Sequence, residues 1–207
     1  MSDDHLIRTE ADLVAVLGAA SPVAAGKIAP ELDAMSRDFI AASPLLLLST
    51  SGADGRLDVS PKGDAPGFVV AEDDRTLLIP ERRGNRMALG FRNLLETGRI
   101  GLLFLLPGVR ETLRINGSAE ISRDPELLAR FAVDGRPALL VTRVHIEECF
   151  LHCGKALIRS RLWQPDAWGP APEIGFGRQF REKAVALPMT PAELDDAIEQ
   201  DYRDGLY

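Results

Sequence analysis

Apolar residues recur in this chain with two periods, and the change between them near residue 44 organises the rest. Upstream the spacing is helical. Leu13, Val16 and Leu17 mark a short amphipathic helix, and Leu32, Met35, Phe39 and Ile40 predict a second, opened after Pro30 and closed by Pro44. The Pro/Ala/Gly-rich stretch 21–30 links the two. From residue 45 the period shortens. The apolar run 45–49, the turn Ser51-Gly52-Ala53-Asp54-Gly55 and the stretch 56–60 predict strand, turn and strand. A second hairpin is predicted where 68–70 and 76–79 flank Glu72-Asp73-Asp74-Arg75. Met87, Leu89, Phe91, Leu94 and Leu95 then predict a helix over 85–95, with Gly98 as its stop.

Strand character resumes at 100–106, turns at Pro107-Gly108, and alternates through 112–121. Asp124-Pro125-Glu126 reads as a helix start, and Val141, Val144 and Ile146 alternate along a long strand at 138–150. Further on, 154–163 predicts a helix with Leu157 and Ile158 as its apolar contacts. The stretch 165–177 reads as loop, and Thr190-Pro191-Ala192-Glu193 as a capping box opening a helix through Gln200. No βαβ rhythm and no internal repeat is present. The order of elements therefore predicts an α+β fold built on an antiparallel barrel, not a doubly wound parallel sheet.

Composition narrows the function classes. A formal net charge of −7 over 207 residues argues against a chain that coats nucleic acid or an anionic membrane. No apolar stretch approaches the ~20 residues that span a bilayer. The start, MSDDHLIRTEADL, has no apolar core of a secretory signal, and the two cysteines, Cys149 and Cys153, make no disulfide framework. A cytoplasmic location is expected.

Four segments could carry chemistry. Ser60-Pro61-Lys62-Gly63-Asp64 predicts a bend that frees backbone N–H groups beside a lysine; a surface turn has the same composition. Glu81-Arg82-Arg83-Gly84-Asn85-Arg86 crowds three arginines at the predicted start of a helix, where the positive dipole end disfavours cations. A bound phosphate resolves that conflict through guanidinium forks, helix-end N–H groups and the Asn85 side chain; a solvated basic loop is the alternative. In the strand at 112–121, Thr112 and Arg114 share one face while Leu113 and Ile115 share the other. Cys149, His152 and Cys153 lie close in sequence but lack the second cluster a tetrahedral zinc site needs, and His5 and His145 do not complete one, so no metal is expected. Beyond them Lys155, Arg159, Arg161 and Trp163 form a basic segment tipped by an aromatic ring. Nucleotide-binding loops of the Walker and Rossmann types, the G-x-S-x-G elbow and H-E-x-x-H are absent.

Taken together, SPKG, IPERRGNR, LLFLLPG, ETLRINGSAEI and CFLHCGKALIRSRLW resemble the pyridoxamine 5′-phosphate oxidase-like FMN (flavin mononucleotide)-binding split barrels, in the branch of FMN-dependent enzymes of unassigned substrate. The likeness spans roughly residues 39–168. It implies a dimeric six-stranded antiparallel split β-barrel with flanking helices and two FMN molecules in clefts between subunits. Residues 1–43 would be a helical extension, 44–168 the FMN-binding barrel and 169–207 a loop and helix packed on it, one domain in all. The resemblance implies Ser60, Pro61 and Lys62 beside the flavin ring or ribityl chain, Ile79 and Pro80 near the ring, and Arg83, Asn85 and Arg86 at the phosphate. Thr112 and Arg114 would reach the same cofactor, and Lys155, Arg159, Arg161 and Trp163 would come from the opposite subunit.

The implied function is flavin-mediated hydride transfer with a small-molecule substrate and an electron donor such as NAD(P)H. A non-catalytic flavin-, deazaflavin- or haem-binding barrel is the alternative. The strand arginine and lysine that the oxidase itself uses for the phosphate are not cleanly matched around Asp58 to Lys62, and its C-terminal Arg-x-His motif is absent, so oxidation of pyridoxamine phosphate is not implied.

Overall fold

The computed structural model describes residues 5–207. Three helices lead: α1 (Glu10–Leu17), α2 (Pro22–Ala25) and α3 (Ala34–Ala42). Helix α3 starts where Asp33 accepts a hydrogen bond from the Ser36 N–H at 2.7 Å, and it drives Phe39 and Ile40 into the core. Met35, expected on that buried face, lies exposed instead. The stretch 21–30, expected as a plain linker, contains the single turn α2, capped by Ser21.

Seven strands follow: β1 (Leu45–Ser51), β2 (Leu57–Gly63), β3 (Val70–Ala71), β4 (Thr76–Glu81), β5 (Arg99–Leu105), β6 (Thr112–Ser122) and β7 (Leu140–His152). They form one sheet in the order β2-β1-β5-β6-β7-β4-β3, and each assigned strand pair is antiparallel. The expected count of six is thus corrected to seven. The extra member is β3, a two-residue strand paired with Leu77 and Leu78, which sequence reading folds into the second hairpin.

Alternation decides the layers. In β1 Leu46, Leu48 and Thr50 are buried while Leu45, Leu47 and Ser49 face outward. Leu102 and Phe104 of β5, Leu113 and Ile115 of β6, and Val144 and Ile146 of β7 complete one core with Phe39 and Ile40. Strand β4 is buried on both faces. Leu77 and Ile79 enter that core, and Leu78 meets Phe131 behind helix α5 (Pro125–Arg130). The pairing of β6 with β7 slips between Asn116 and Gly117, and a Cβ on Gly117 would lie 2.0 Å from the His145 carbonyl oxygen. A bulge at a glycine bends the long β6–β7 ribbon enough to curl the sheet.

The sheet does not close through backbone hydrogen bonds. Strand β3 covers only Leu77 and Leu78, so the 79–81 end of β4 is an open edge, and β2 comes to meet it. Side chains bridge the gap. Lys62 Nζ lies 2.6 Å from Glu81 Oε2, and Arg82 Nε lies 3.0 Å from Asp64 Oδ2. Helix α4 (Leu89–Thr97) plugs this end of the sheet through buried Leu94, and Asn93 donates to Thr50 Oγ1 at 3.1 Å.

Two expectations change here. Ser60, Pro61 and Lys62 do not form a bend; they continue β2, where an edge strand tolerates a proline that lacks an N–H. The helix expected from Asn85 begins at Leu89, because Arg86 and Ala88 take left-handed backbone angles (φ 61° and 53°) that no helix accommodates.

The C-terminal part comprises α6 (Lys155–Ser160), a 3-10 turn at Pro165–Ala167, α7 (Phe176–Glu182) and α8 (Pro191–Asp204). The Thr190–Glu193 capping box is present, and α8 runs past Gln200. Helix α7 overlaps the expected loop and was not anticipated. Its one tie of note is the Gly177 N–H, which donates to Asp195 of α8 at 2.8 Å. No helix among the described residues is long and apolar enough to cross a membrane.

Candidate functional site

A cleft of ≈ 380 Å³ opens along the seam between β2 and β4. Ser60 and Lys62 supply one wall, because alternation along β2 turns them to the same side while Pro61 points away. Asn85 and Arg86 supply the rim, and the first turn of α4 the end. Leu48, Phe91, Leu94 and Leu140 make the remaining wall apolar. The volume and the mix of apolar walls with a few polar groups suit a small-molecule ligand.

Each polar group in the cleft has a physical cause for its position. Lys62 is held by Glu81, and its ammonium lies 5.2 Å from the centroid of the Phe91 ring, so the charge is anchored twice. Asn85 Oδ1 accepts the Met87 N–H at 3.0 Å, which shapes the left-handed step around Arg86. Among the described residues the Arg86 guanidinium has no hydrogen-bond or ion-pair partner, although it lines the cleft. Helix α4 has no side-chain cap, so its first turn presents backbone N–H groups to the same space. Gly90 lets the Asp58 carboxylate come close to that turn: a Cβ there would sit 3.0 Å from Asp58 Oδ2. An entering anion therefore meets Arg86 and Asn85 at the rim and a resident carboxylate deeper in.

The three arginines separate. Arg86 enters the seam cleft, while Arg83 lines a neighbouring depression of ≈ 460 Å³ with Arg136 and Tyr207. Arg82 stands in the wall between them, with its side chain 17 % exposed. It donates to Asp64 and, through Nη1, to the Phe131 carbonyl at 2.7 Å. Burial alone would raise the Asp64 carboxyl, but hydrogen bonds from the Tyr207 hydroxyl, the Ala65 N–H and Arg82 outweigh it and hold the group below its ordinary range.

Other singled-out residues lie elsewhere. Ile79 and Pro80 are buried within β4 and do not line the cleft. Thr112 and Arg114 share a face, as their spacing predicts, but it is the outer face of the sheet. There they border a groove of ≈ 430 Å³ with His152, Cys153 and α6. Arg114 lies 5.5 Å from the centre of the Phe150 ring. Lys155, Arg159 and Arg161 are exposed on or just after α6, and the Trp163 indole donates to the Val109 carbonyl at 2.8 Å. None of these four lines the seam cleft of its own chain. Cys149 is buried beside Ser36, and desolvation pushes its thiol up, whereas Cys153 is exposed.

Sequence reading passed over the roles of Glu81, Asp64 and Arg82, although all three lie in the quoted motifs. Their signal was charge complementarity between the separated segments 62–64 and 81–82, in which Lys62 pairs with Glu81 and Asp64 with Arg82 once the topology brings them together. Asp58, Gly90 and Tyr207 carried no signal.

The family model described as pyridoxamine 5′-phosphate oxidase matches residues 32–153, which include every strand and α4. The chain belongs to this family. No curated protein sequence matches it. Among solved structures it is similar to HupZ from Group A Streptococcus, at 22% identity over 58% of this chain and 93% of that one, with a TM-score of 0.48. A protein related to general stress protein 26 from Clostridium acetobutylicum, of the pyridoxinephosphate oxidase family, aligns at 16% identity over 57% and 86% (TM-score 0.45). An FMN-binding protein from Syntrophomonas wolfei aligns at 14% identity over 56% and 88% (TM-score 0.41). For this family member, the matched segment coincides with the sheet and with both walls of the seam cleft.

Proposed function

We propose that this member of the pyridoxamine 5′-phosphate oxidase family binds FMN in the seam cleft and acts as an oxidoreductase on a small molecule, as a homodimer. The observation that carries the reading is Arg86: a guanidinium without a hydrogen-bond or ion-pair partner among the described residues, held at φ 61° on the rim of a cleft that also receives an uncapped helix end. A left-handed backbone that an arginine seldom adopts, combined with a guanidinium lacking a partner among the described residues, is accounted for by an anionic ligand. When bound, FMN supplies a ring that accepts and returns hydride.

In this reading Arg86 and Asn85 hold the phosphate. Arg83, one cavity away, contributes its charge at longer range. Ser60 and Lys62 meet the polar side of the ligand, and Phe91, Leu48 and Leu140 exclude water from its apolar side. Lys62, fixed by Glu81, keeps a positive charge in the cleft, where it favours a reduced, anionic ring. The dimer is supported by the outer sheet face. Leu57 and Val59 of β2 are 74 % and 62 % exposed, and Val59 borders the same groove as Thr112 and Arg114. If a partner covers that face, Thr112, Arg114, Lys155, Arg159, Arg161 and Trp163 approach the partner's cleft and not their own.

The test is the absorption spectrum of the purified protein, as isolated and after incubation with FMN. An oxidised-flavin spectrum, with NAD(P)H or dithionite bleaching it, is the expected result. A deazaflavin spectrum would replace FMN as the cofactor. A colourless protein that takes up no FMN overturns the proposal. Bound FMN that no NAD(P)H-and-acceptor pair turns over leaves the binding reading and removes the enzymatic one.

A further inference from the structure

We infer that Tyr207 is a positioning residue for the cleft: docked on the Asp64–Arg82 pair, its side chain holds the two edges of the split sheet together and fixes the start of the arginine-bearing rim. The contacts are specific. The Tyr207 hydroxyl donates to Asp64 Oδ1 at 2.7 Å, and its ring lies 5.6 Å from the Arg82 guanidinium carbon. The Arg136 guanidinium hydrogen-bonds the Tyr207 carbonyl. Asp64 therefore uses one oxygen for Tyr207 and the other for Arg82, and its side chain is only 6 % exposed. Four segments converge on this carboxylate and its arginine: the ends of β2 and β4, the Phe131 carbonyl after α5, and the stretch after α8.

The link to the cleft runs through Arg82. It opens the segment 82–88, which carries Asn85 and Arg86 and has two left-handed residues. The Asn85 turn is the hydrogen bond that shapes this segment from within, so its position depends on its two ends, Arg82 on the seam and α4 on the barrel. Without Tyr207, Asp64 Oδ1 keeps the Ala65 N–H but loses its link to the stretch after α8, the Arg82 guanidinium loses its aromatic cover, and the seam beside Lys62 and Glu81 is held by one fewer tie. Segments held by few contacts open locally at low cost, so the effect concentrates in 82–88 and spares the strands.

The inference about the rim stands on the contacts alone; its consequence for affinity rests on the FMN reading above. Full-length wild type, Tyr207→Phe and Tyr207→Ala are compared by amide hydrogen exchange without ligand, then by FMN titration. In Tyr207→Ala, exchange of 82–88 is expected to rise roughly tenfold to a hundredfold, the size of one lost charge-assisted hydrogen bond, with β6 and β7 unchanged. Tyr207→Phe, which keeps the ring, falls between. FMN affinity should drop by the same order, and by reciprocity FMN should slow exchange of 204–207 in the wild type by a like factor. Unchanged exchange at 82–88 in both variants overturns the inference, and so does a uniform rise across the strands, which marks a general loss of stability. A wild type that takes up no FMN while the localised change is seen sinks the cofactor reading and leaves the positioning role standing.

Discussion

Arg86→Gly should separate the stability of this protein from its ligand affinity, with the two moving in opposite directions. Arg86 sits at φ 61° and its guanidinium makes no hydrogen bond or ion pair with the described residues. A left-handed conformation costs an L-residue ~1–2 kcal/mol, which glycine does not incur. Glycine instead adds ~0.5–1 kcal/mol of backbone entropy to the unfolded state. The difference leaves Arg86→Gly about 0.5 kcal/mol more stable than the wild type, or roughly 1–2 °C in Tm for a chain of this size.

Its phosphate contact, in contrast, is lost. A charge-assisted hydrogen bond is worth ~1.5–3 kcal/mol, so the Kd for FMN should rise roughly tenfold to a hundredfold. Thermal melts of the ligand-free protein and FMN titrations by fluorescence quenching read the two quantities. The wild type should also lose more affinity with added salt than the variant does, because one exposed charge contact is missing from the latter. Arg83→Ala, one cavity away, should cost less affinity than Arg86→Gly. A Tm that falls by more than about 4 °C would mean that Arg86 has a structural partner, given the usual conversion of stability into melting temperature. A Kd within threefold of wild type would place the phosphate elsewhere.

Three further outcomes follow from the geometry. Gly117→Ala forces a Cβ against the His145 carbonyl at the bulge and should destabilise the protein by ~3 kcal/mol in urea unfolding, with loss of the strand register as the alternative failure. Of the two thiols, Cys153 should react with a disulfide reagent in the native protein while Cys149 reacts only on unfolding; equal rates would contradict the burial and the raised thiol of Cys149. The Asp64 carboxyl is held below its ordinary 3.8, so its contribution to stability is fully present above that value and is lost as pH falls through its lower, folded-state value. Asp64→Asn should therefore flatten part of the acid limb of the stability profile, and an unaltered limb would count against the cluster.

Much of the fold could be read from the chain because burial leaves a period. The apolar run of β1, the alternation of β6, the turn at 51–55 and the Thr190–Glu193 box each gave the observed element within a few residues. Where the reading slipped, a local signal competed with a tertiary one. Leu89, Phe91 and Leu94 are helical, but Met87 has the right composition without the conformation, since Asn85 bends the segment first. Pro61 and Gly63 look like turn residues, yet they lie in a strand because β2 is an edge. Of the candidate site, Ser60, Lys62, Asn85 and Arg86 were legible because charge and turn chemistry cluster in sequence. Glu81, Asp64, Arg82 and Tyr207 were not, because what pairs them is the meeting of β2 with β4, distant in the sheet order, and the return of the stretch after α8 onto that seam.

Pro61 has a consequence for how copies of this chain can associate. An exposed strand with every donor intact is a template on which another chain can zip up, and such growth has no natural end. The ladder from β2 to β1 runs without a gap through the Pro61–Leu47 position, so the missing N–H is on the outward side. The opposite margin is the two-residue β3 and the 79–81 end of β4, which lies across the seam from β2. Growth of the sheet by strand addition is thus interrupted at the β2 border, where the missing donor at Pro61 leaves an incoming strand one hydrogen bond short.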